Sequence, residues 1–175
     1  MPAQFDRQPT LQGPTLTARP LRAGDLEPLY AVASDPLVWE QHPSHDRWRR
    51  EVFEPFFVDT LASGGGLTVI DRADATIVGS SRFEPPDGQT RAVEIGWTYL
   101  SRSHWGGPTN RELKALMIDH ALAAGVDTIH FAVAPKNWRS RRAVEKLGAR
   151  EVGTKPHEPG PDWVLYGLDR AAWRG

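Results

Sequence analysis

Apolar positions along this chain follow two rhythms, one repeating about every 3.6 residues and one every second residue. Leu26, Leu29, Tyr30 and Ala33 line one face of a helix predicted over Gly24–Asp35. Pro36 ends it, because the residue before a proline avoids helical geometry. A second helix is predicted over Arg47–Ser63, with Trp48, Val52, Phe56, Asp59 and Ser63 spaced near one turn apart and Pro55 as a kink. Leu113, Leu116, Met117, His120 and Ala121 mark a third helix that opens at Pro108, and Asn137–Gly148 a fourth. Between these, period-two runs predict strands at Leu16–Arg22, Leu67–Asp71, Thr76–Phe83, Arg91–Leu100, Asp127–Val133, Ala149–Gly153 and Trp163–Leu168. Pro20 favours an edge position for the first of them. Leu37–Asp46 is irregular, Glu84–Thr90 is a turn, Lys155–Asp162 is a loop, and Met1–Pro14 is expected to lie loosely at the surface. Hairpin strands followed by a helical crossover give an α+β fold, a mixed, largely antiparallel sheet flanked by helices. No repeat or linker divides the chain, so residues 1–175 read as a single domain.

Composition narrows the function classes. A chain of 175 residues, 39% hydrophobic, suffices for one core. The net charge of −1 supplies no bulk field for nucleic acid or a membrane surface. The absence of cysteine removes disulfides, thiolate metal sites and a cysteine nucleophile. No apolar run approaches the roughly 20 residues that span a bilayer, and the N-terminus lacks a signal-like apolar segment, so a cytoplasmic location is the default. His104, His120 and His130 show no metal-ligand spacing, and no metal site is expected. Seven tryptophans could serve a core, a ligand groove or a partner surface. Together with edge strands near both termini they are compatible with a homodimer.

One stretch carries candidate chemistry. Ser101-Arg102-Ser103-His104-Trp105-Gly106-Gly107-Pro108-Thr109-Asn110 is a turn with two adjacent glycines leading into a helix. Such a junction leaves backbone N–H groups unpaired at the positive end of a helix dipole, a ready seat for phosphate oxygens. Gly106 and Gly107 have no Cβ to obstruct a ligand. The plain alternative is an ordinary helix entry. Downstream, Asn137 is a good N-cap for the helix that carries Ser140. In the Arg91–Leu100 strand, alternation puts Glu94 on one face with Gly96, opposite Val93 and Ile95. Glu94 is either a reactive carboxylate or a structural one, solvated or paired with Arg82 or Arg91.

Trp105-Gly106-Gly107-Pro108-Thr109-Asn110-Arg111-Glu112-Leu113-Lys114, Asn137-Trp138-Arg139-Ser140 and Lys146-Leu147-Gly148-Ala149 together resemble the GNAT superfamily of acyl-CoA-dependent N-acetyltransferases, in particular its RimJ/RimL-type branch. Leu16–Leu21 with Asp25-Leu26, Ile77–Arg82 and Val93–Trp97 match the same branch in the same order, so the resemblance runs from about Leu16 to Leu168. The superfamily's pyrophosphate signature is Gln/Arg-x-x-Gly-x-Gly/Ala. Here Ser103 and Pro108 stand at its outer positions, and Pro108 has no N–H to donate.

The resemblance implies acetyl-CoA as co-substrate and a primary amine as acceptor, either a protein or peptide N-terminus or a small molecule. A non-catalytic acyl-CoA-binding or sensing module on the same fold is the competing class. It further implies that backbone N–H groups of Gly106, Gly107, Thr109 and Asn110 hold the pyrophosphate, beside Trp105. Thr98, Tyr99 and Leu100 would pair with the pantetheine amides as an extra strand. Asn137 would contact the pantetheine arm, and Arg139, with Arg142, the phosphates. Glu94 would take the amine proton and Ser140 would assist the thiolate. Trp39 and His42 lie where the family's acceptor-facing loop lies, and Trp97 flanks the cofactor segment. Packing is the plain alternative for Trp97 and Trp105, and an exposed surface loop is the alternative for Trp39, His42 and His45. The stretch Leu37–Ser63 supplies aromatic residues along with Arg47, Arg49 and Arg50, so the acceptor wall is not acidic. That disfavours polycationic acceptors.

Overall fold

The computed structural model describes residues 5–85 and 91–175. Eight strands form one sheet: β1 (Leu11–Gln12), β2 (Leu16–Pro20), β3 (Gly66–Asp71), β4 (Ile77–Glu84), β5 (Ala92–Leu100), β6 (Thr128–Val133), β7 (Arg150–Lys155) and β8 (Trp163–Asp169). Their spatial order is β1-β2-β3-β4-β5-β6-β8-β7. Among the described residues only β5 and β6 pair in parallel. The crossover between them is α3 (Thr109–Ala123), because parallel neighbours need a long return connection. The other helices are α1 (Leu26–Ala33), α2 (Arg50–Ala62) and α4 (Trp138–Lys146). The fold is therefore the mixed, mostly antiparallel α+β sheet expected from the order of elements.

The sheet has a core on each face. Leu113, Met117 and Ile118 of α3 and Val144 of α4 pack on Val93, Ile95, Ile129 and Phe131. Leu29 and Ala33 of α1 and Phe53 and Phe57 of α2 pack with Trp39 and Tyr99 on the other. Asp25 fixes the start of α1. Burial alone would raise its pKa, but hydrogen bonds from Arg19, Thr68 and the Arg22 N–H outweigh burial and hold it below the usual carboxylate range.

Several expectations need correction. The chain from Phe5 to Pro14 is not loose: Phe5 meets Phe83 edge-on at 5.1 Å and Leu11–Gln12 pairs with β2. The short β1 thus takes the edge that Pro20 suggested for β2. The second helix starts at Arg50, after turns through residues 44–49, and buries Phe53, Phe57 and Thr60. Trp48 and Asp59, expected on that stripe, are exposed. Leu37–Asp46 is not wholly irregular, for Pro36–Trp39 forms a 3-10 turn capped by the Asp35 side chain. Most of the turn expected at Glu84–Thr90 lies outside the described residues.

Candidate active site

The turn into α3 is open. Thr109 is the first helical residue, one later than expected, and the Pro108 carbonyl accepts the first intrahelical bond from Glu112 at 2.9 Å. No intramolecular acceptor among the described residues takes the backbone N–H of Gly106, Gly107, Thr109, Asn110 or Arg111. Gly106 adopts φ +71°, which favours glycine, and a Cβ built on Gly106 or Gly107 would meet nothing within 4 Å. The preceding residues hold this turn in place. The His104 ring meets Asp71 at 3.0 Å, Ser103 bonds Ser101 at 2.9 Å, and the Trp105 indole N–H donates to the Leu100 carbonyl at 3.0 Å. The start of α4 differs. Ser140 N–H is taken by the Asn137 side chain at 3.3 Å and Arg139 N–H by Gln41 Oε1 at 3.0 Å. Of the two helix starts only that of α3 keeps donors for an anion, and those donors with the open space above two glycines fit a diphosphate.

Strand β5 supplies the second part. It pairs with β6 only over Ala92–Glu94, so the β6-side edge of Ile95–Leu100 lacks a strand neighbour. The register with β4 slips between Ser80 and Arg82, and Trp97 sits in the left-handed region at φ +53°. This bulge breaks the alternation. Glu94 and Trp97 fall on the α2 side of β5, and Tyr99 packs in the α2 core. Thr98 turns to α3, where its hydroxyl meets Lys114 Nζ at 2.5 Å and Ser81 Oγ at 2.8 Å. Leu100 already spends its carbonyl on Trp105.

Glu94 is buried at the last β5 position paired with β6, opposite His130. Its partner is neither Arg82 nor Arg91. Lys155, at the end of β7, reaches Glu94 Oε2 at 2.5 Å. Arg82 instead bonds Asp59 and Glu84 and stacks on the Trp97 ring at 4.3 Å. Arg91 pairs with Asp127. No hydrogen bond joins Glu94 to Ser140. Their elements are related through β6, which flanks Glu94 and leads into α4.

Arg139 ties the remaining pieces together. Its guanidinium lies 3.9 Å from the centre of the Trp105 ring and 3.4 Å from the Val38 carbonyl, and burial lowers its pKa. It joins the turn before α3, the start of α4 and the loop after α1, instead of lying on a solvated face. In that loop Trp39 is buried and its indole N–H is spent on the Ala33 carbonyl at 2.9 Å. Trp39 is the floor of this region, with His42 edge-on to it at 6.0 Å. Burial, and then the charges of Arg47 and His157, push the His42 imidazole down to about 3, so it is neutral.

Three residues were not foreseen. Lys155 stands just before a proline-rich loop and had no local signal. Lys114 had one: it stands four and eight residues before Ile118 and Leu122, which puts a lysine on a buried stripe. Trp163, opposite Lys155 in the β7–β8 ladder, keeps a buried indole N–H that has no partner among the described residues. A surface cleft of about 420 Å³ lies elsewhere, between α1 and the β3–β4 hairpin, and touches this region only through Ser101, Ser103 and His104.

Comparison with known proteins agrees with this geometry. Residues 15–150 match the model of the acetyltransferase (GNAT) domain family. No protein of curated function matches the chain in sequence. Among solved structures, a GCN5-related N-acetyltransferase from Brucella melitensis superposes with a TM-score of 0.83 at 21% identity, over 95% of this chain and 80% of that one. A probable GNAT acetyltransferase from Chromobacterium violaceum gives 0.83 at 18% identity, over 99% and 90%. Mycobacterium smegmatis RimJ, solved in complex with CoA-disulfide, gives 0.67 at 21% identity, over 89% and 82%. With a matched family model covering most of its length and the fold in agreement, the chain belongs to the GNAT acetyltransferase family.

Proposed function

We propose that this chain moves the acetyl group of acetyl-CoA to a primary amine. The observation that carries the proposal is the pairing of an open α3 entry with a strand, β5, that loses its β6 neighbour just beyond a buried carboxylate. Acetyl-CoA supplies an activated thioester carbonyl. Free N–H groups at Gly106–Arg111 suit its diphosphate, and the unpaired edge of β5 suits the amides of its pantetheine arm. Asn137 and Ser140 stand at the mouth of α4, where Ser140 can donate to the departing sulfur. Glu94 receives the amine proton, directly or through a water. An incoming ammonium competes with Lys155 for the same carboxylate. The RimJ/RimL-type motifs and the structural likeness to Mycobacterium smegmatis RimJ favour a peptide or protein N-terminus as the amine.

Release of free thiol from acetyl-CoA, measured over N-terminal peptides, amino acids, polyamines and aminoglycosides, tests the reading. Turnover with at least one amine class and acetylated product by mass spectrometry are expected. Binding of acetyl-CoA by calorimetry without thiol release toward any amine would instead indicate a sensing module.

A further inference from the structure

The acceptor side of the sheet holds an excess of hydrogen-bond donors. The Arg47 guanidinium lies over the Phe56 ring at 4.1 Å and the Trp39 ring at 5.4 Å. Among the described residues no carboxylate or carbonyl accepts from it, although burial is sufficient to lower its pKa to about 10. A guanidinium laid on two aromatic rings, with no protein acceptor on its nitrogens, can take a ligand carboxylate in a paired hydrogen bond. His42 is next to it, edge-on to both Trp39 and Trp163 at 6.0 and 5.7 Å. His42 Nδ1 accepts the Ser44 N–H at 2.9 Å, which in the neutral ring puts the proton on Nε2 and makes that atom a donor. Trp163 adds a buried indole N–H with no partner among the described residues. The His157 ring lies against it, tilted by 38° with centroids 4.6 Å apart.

These groups lie on the same side of the sheet as Glu94. Trp163 stands directly opposite Lys155, whose ammonium holds Glu94. Trp39 and Phe56 rest on Tyr99 of β5, the strand that carries Glu94. The two ends of the region thus have opposite needs: a carboxylate that can receive an ammonium, and a set of donors that lack an acceptor. Of the other cations of this wall, Arg50 is paired with Glu27 and Glu54 and Arg82 with Asp59 and Glu84, while Arg49 is exposed over the Trp48 ring.

Resting on the acetyl-transfer reading above, we infer that the acceptor is an amine that also carries a carboxylate, held by Arg47, His42 and Trp163 while its amine lies at Glu94. Free amino acids and peptides that begin with Asp or Glu both present this chemistry.

The test uses the whole chain and matched pairs: amino acids against their amides, and peptides beginning with Asp or Glu against the same peptides beginning with Asn or Gln. In thiol-release assays the carboxylate member of a pair should be preferred by about tenfold or more, the usual scale for hydrogen bonds to a charged group. The pair that shows the preference tells free amino acids from peptides. Arg47→Gln should raise KM for the carboxylates by a similar factor and leave the amides within about twofold. Trp163→Phe keeps the ring and drops the N–H, and should do the same more weakly. Should Arg47→Gln fail to fold, Arg47→Lys and Trp163→Phe carry the comparison. Equal turnover of carboxylates and amides by the wild type overturns the inference, as does an equal loss for both in the variants. Silence toward every amine strikes the transfer reading instead. Calorimetric titration of the same pairs then decides the inference without turnover: carboxylate binding that is lost in Arg47→Gln supports it, and equal binding of the amides overturns it.

Discussion

Lys155 and Glu94 are 61 residues apart in sequence, yet Nζ of one stands 2.5 Å from Oε2 of the other. Their exposure differs. The Glu94 side chain is 8% exposed and that of Lys155 46%, so the lysine can leave and the carboxylate cannot. This asymmetry suits a buried base held by a replaceable cation. Glu94→Gln should lower kcat by about 10²-fold, the scale of general base catalysis. Lys155→Met should keep kcat measurable, because it leaves the carboxylate in place and removes only the cation that an incoming ammonium would displace; a kcat as low as that of Glu94→Gln would show that the lysine itself is required.

Gly107 separates binding from folding. Its φ is not in the left-handed region, and an added Cβ meets nothing within 4 Å. Gly107→Ala should leave the melting temperature unchanged or slightly raised, since a compatible Gly→Ala change stabilises by roughly 0.4–1 kcal/mol. If the diphosphate lies against this backbone, the new methyl group meets it and the Kd for CoA rises by about tenfold, equivalent to roughly 1.4 kcal/mol. An unchanged Kd by calorimetry would move the diphosphate off this turn.

Ser140 and Asn137 can be told apart in the same way. The cap uses the backbone N–H of Ser140 and the side chain of Asn137, so the Ser140 hydroxyl is not part of it. Ser140→Ala should leave thermal stability intact and reduce kcat by about 10²-fold if the hydroxyl protonates the leaving thiolate. Asn137→Ala removes the cap and should cost about 1 kcal/mol of stability. A Ser140→Ala enzyme with full kcat would reduce Ser140 to a helix-start residue.

Most of the fold was legible because the elements that build it are strongly periodic. Ile129, Phe131 and Val133 are buried with Thr128 and His130 less so, as alternation requires. The turn at Gly106–Gly107 was legible too, since backbone chemistry there depends on residue type alone. What escaped the sequence depends on partners brought from far along the chain. Nothing near Glu94 names Lys155, and nothing near Thr98 announces that a bulge at Trp97 will swing it towards Lys114. The face of α2 was misjudged because the stripe was counted from Trp48, which lies before the helix; Phe53, Phe56 and Phe57 stand at i, i+3 and i+4 and mark the face that packs.

Lys114 gives the last prediction. It is 5% exposed, its Nζ meets only the Thr98 hydroxyl among the described residues, and burial pushes its pKa from 10.5 down to about 7. The sign follows from proton counting. Below about pH 7 the folded and unfolded chains both hold the proton, and the cost of burying the charge is fully present. Between pH 7 and 10.5 the unfolded chain holds a proton that the folded chain has released, so stability rises with pH. Above 10.5 both are neutral and the dependence ends. One pKa unit corresponds to about 1.4 kcal/mol, so the cost at and below pH 7 is several kcal/mol. Lys114→Met, close in length and without the charge, should therefore be the more stable protein at pH 7. The wild type should close the gap by about 1.4 kcal/mol per pH unit towards pH 9. Urea unfolding of both proteins at pH 7, 8 and 9 measures this, and parallel curves would show that Lys114 keeps its charge in the folded protein.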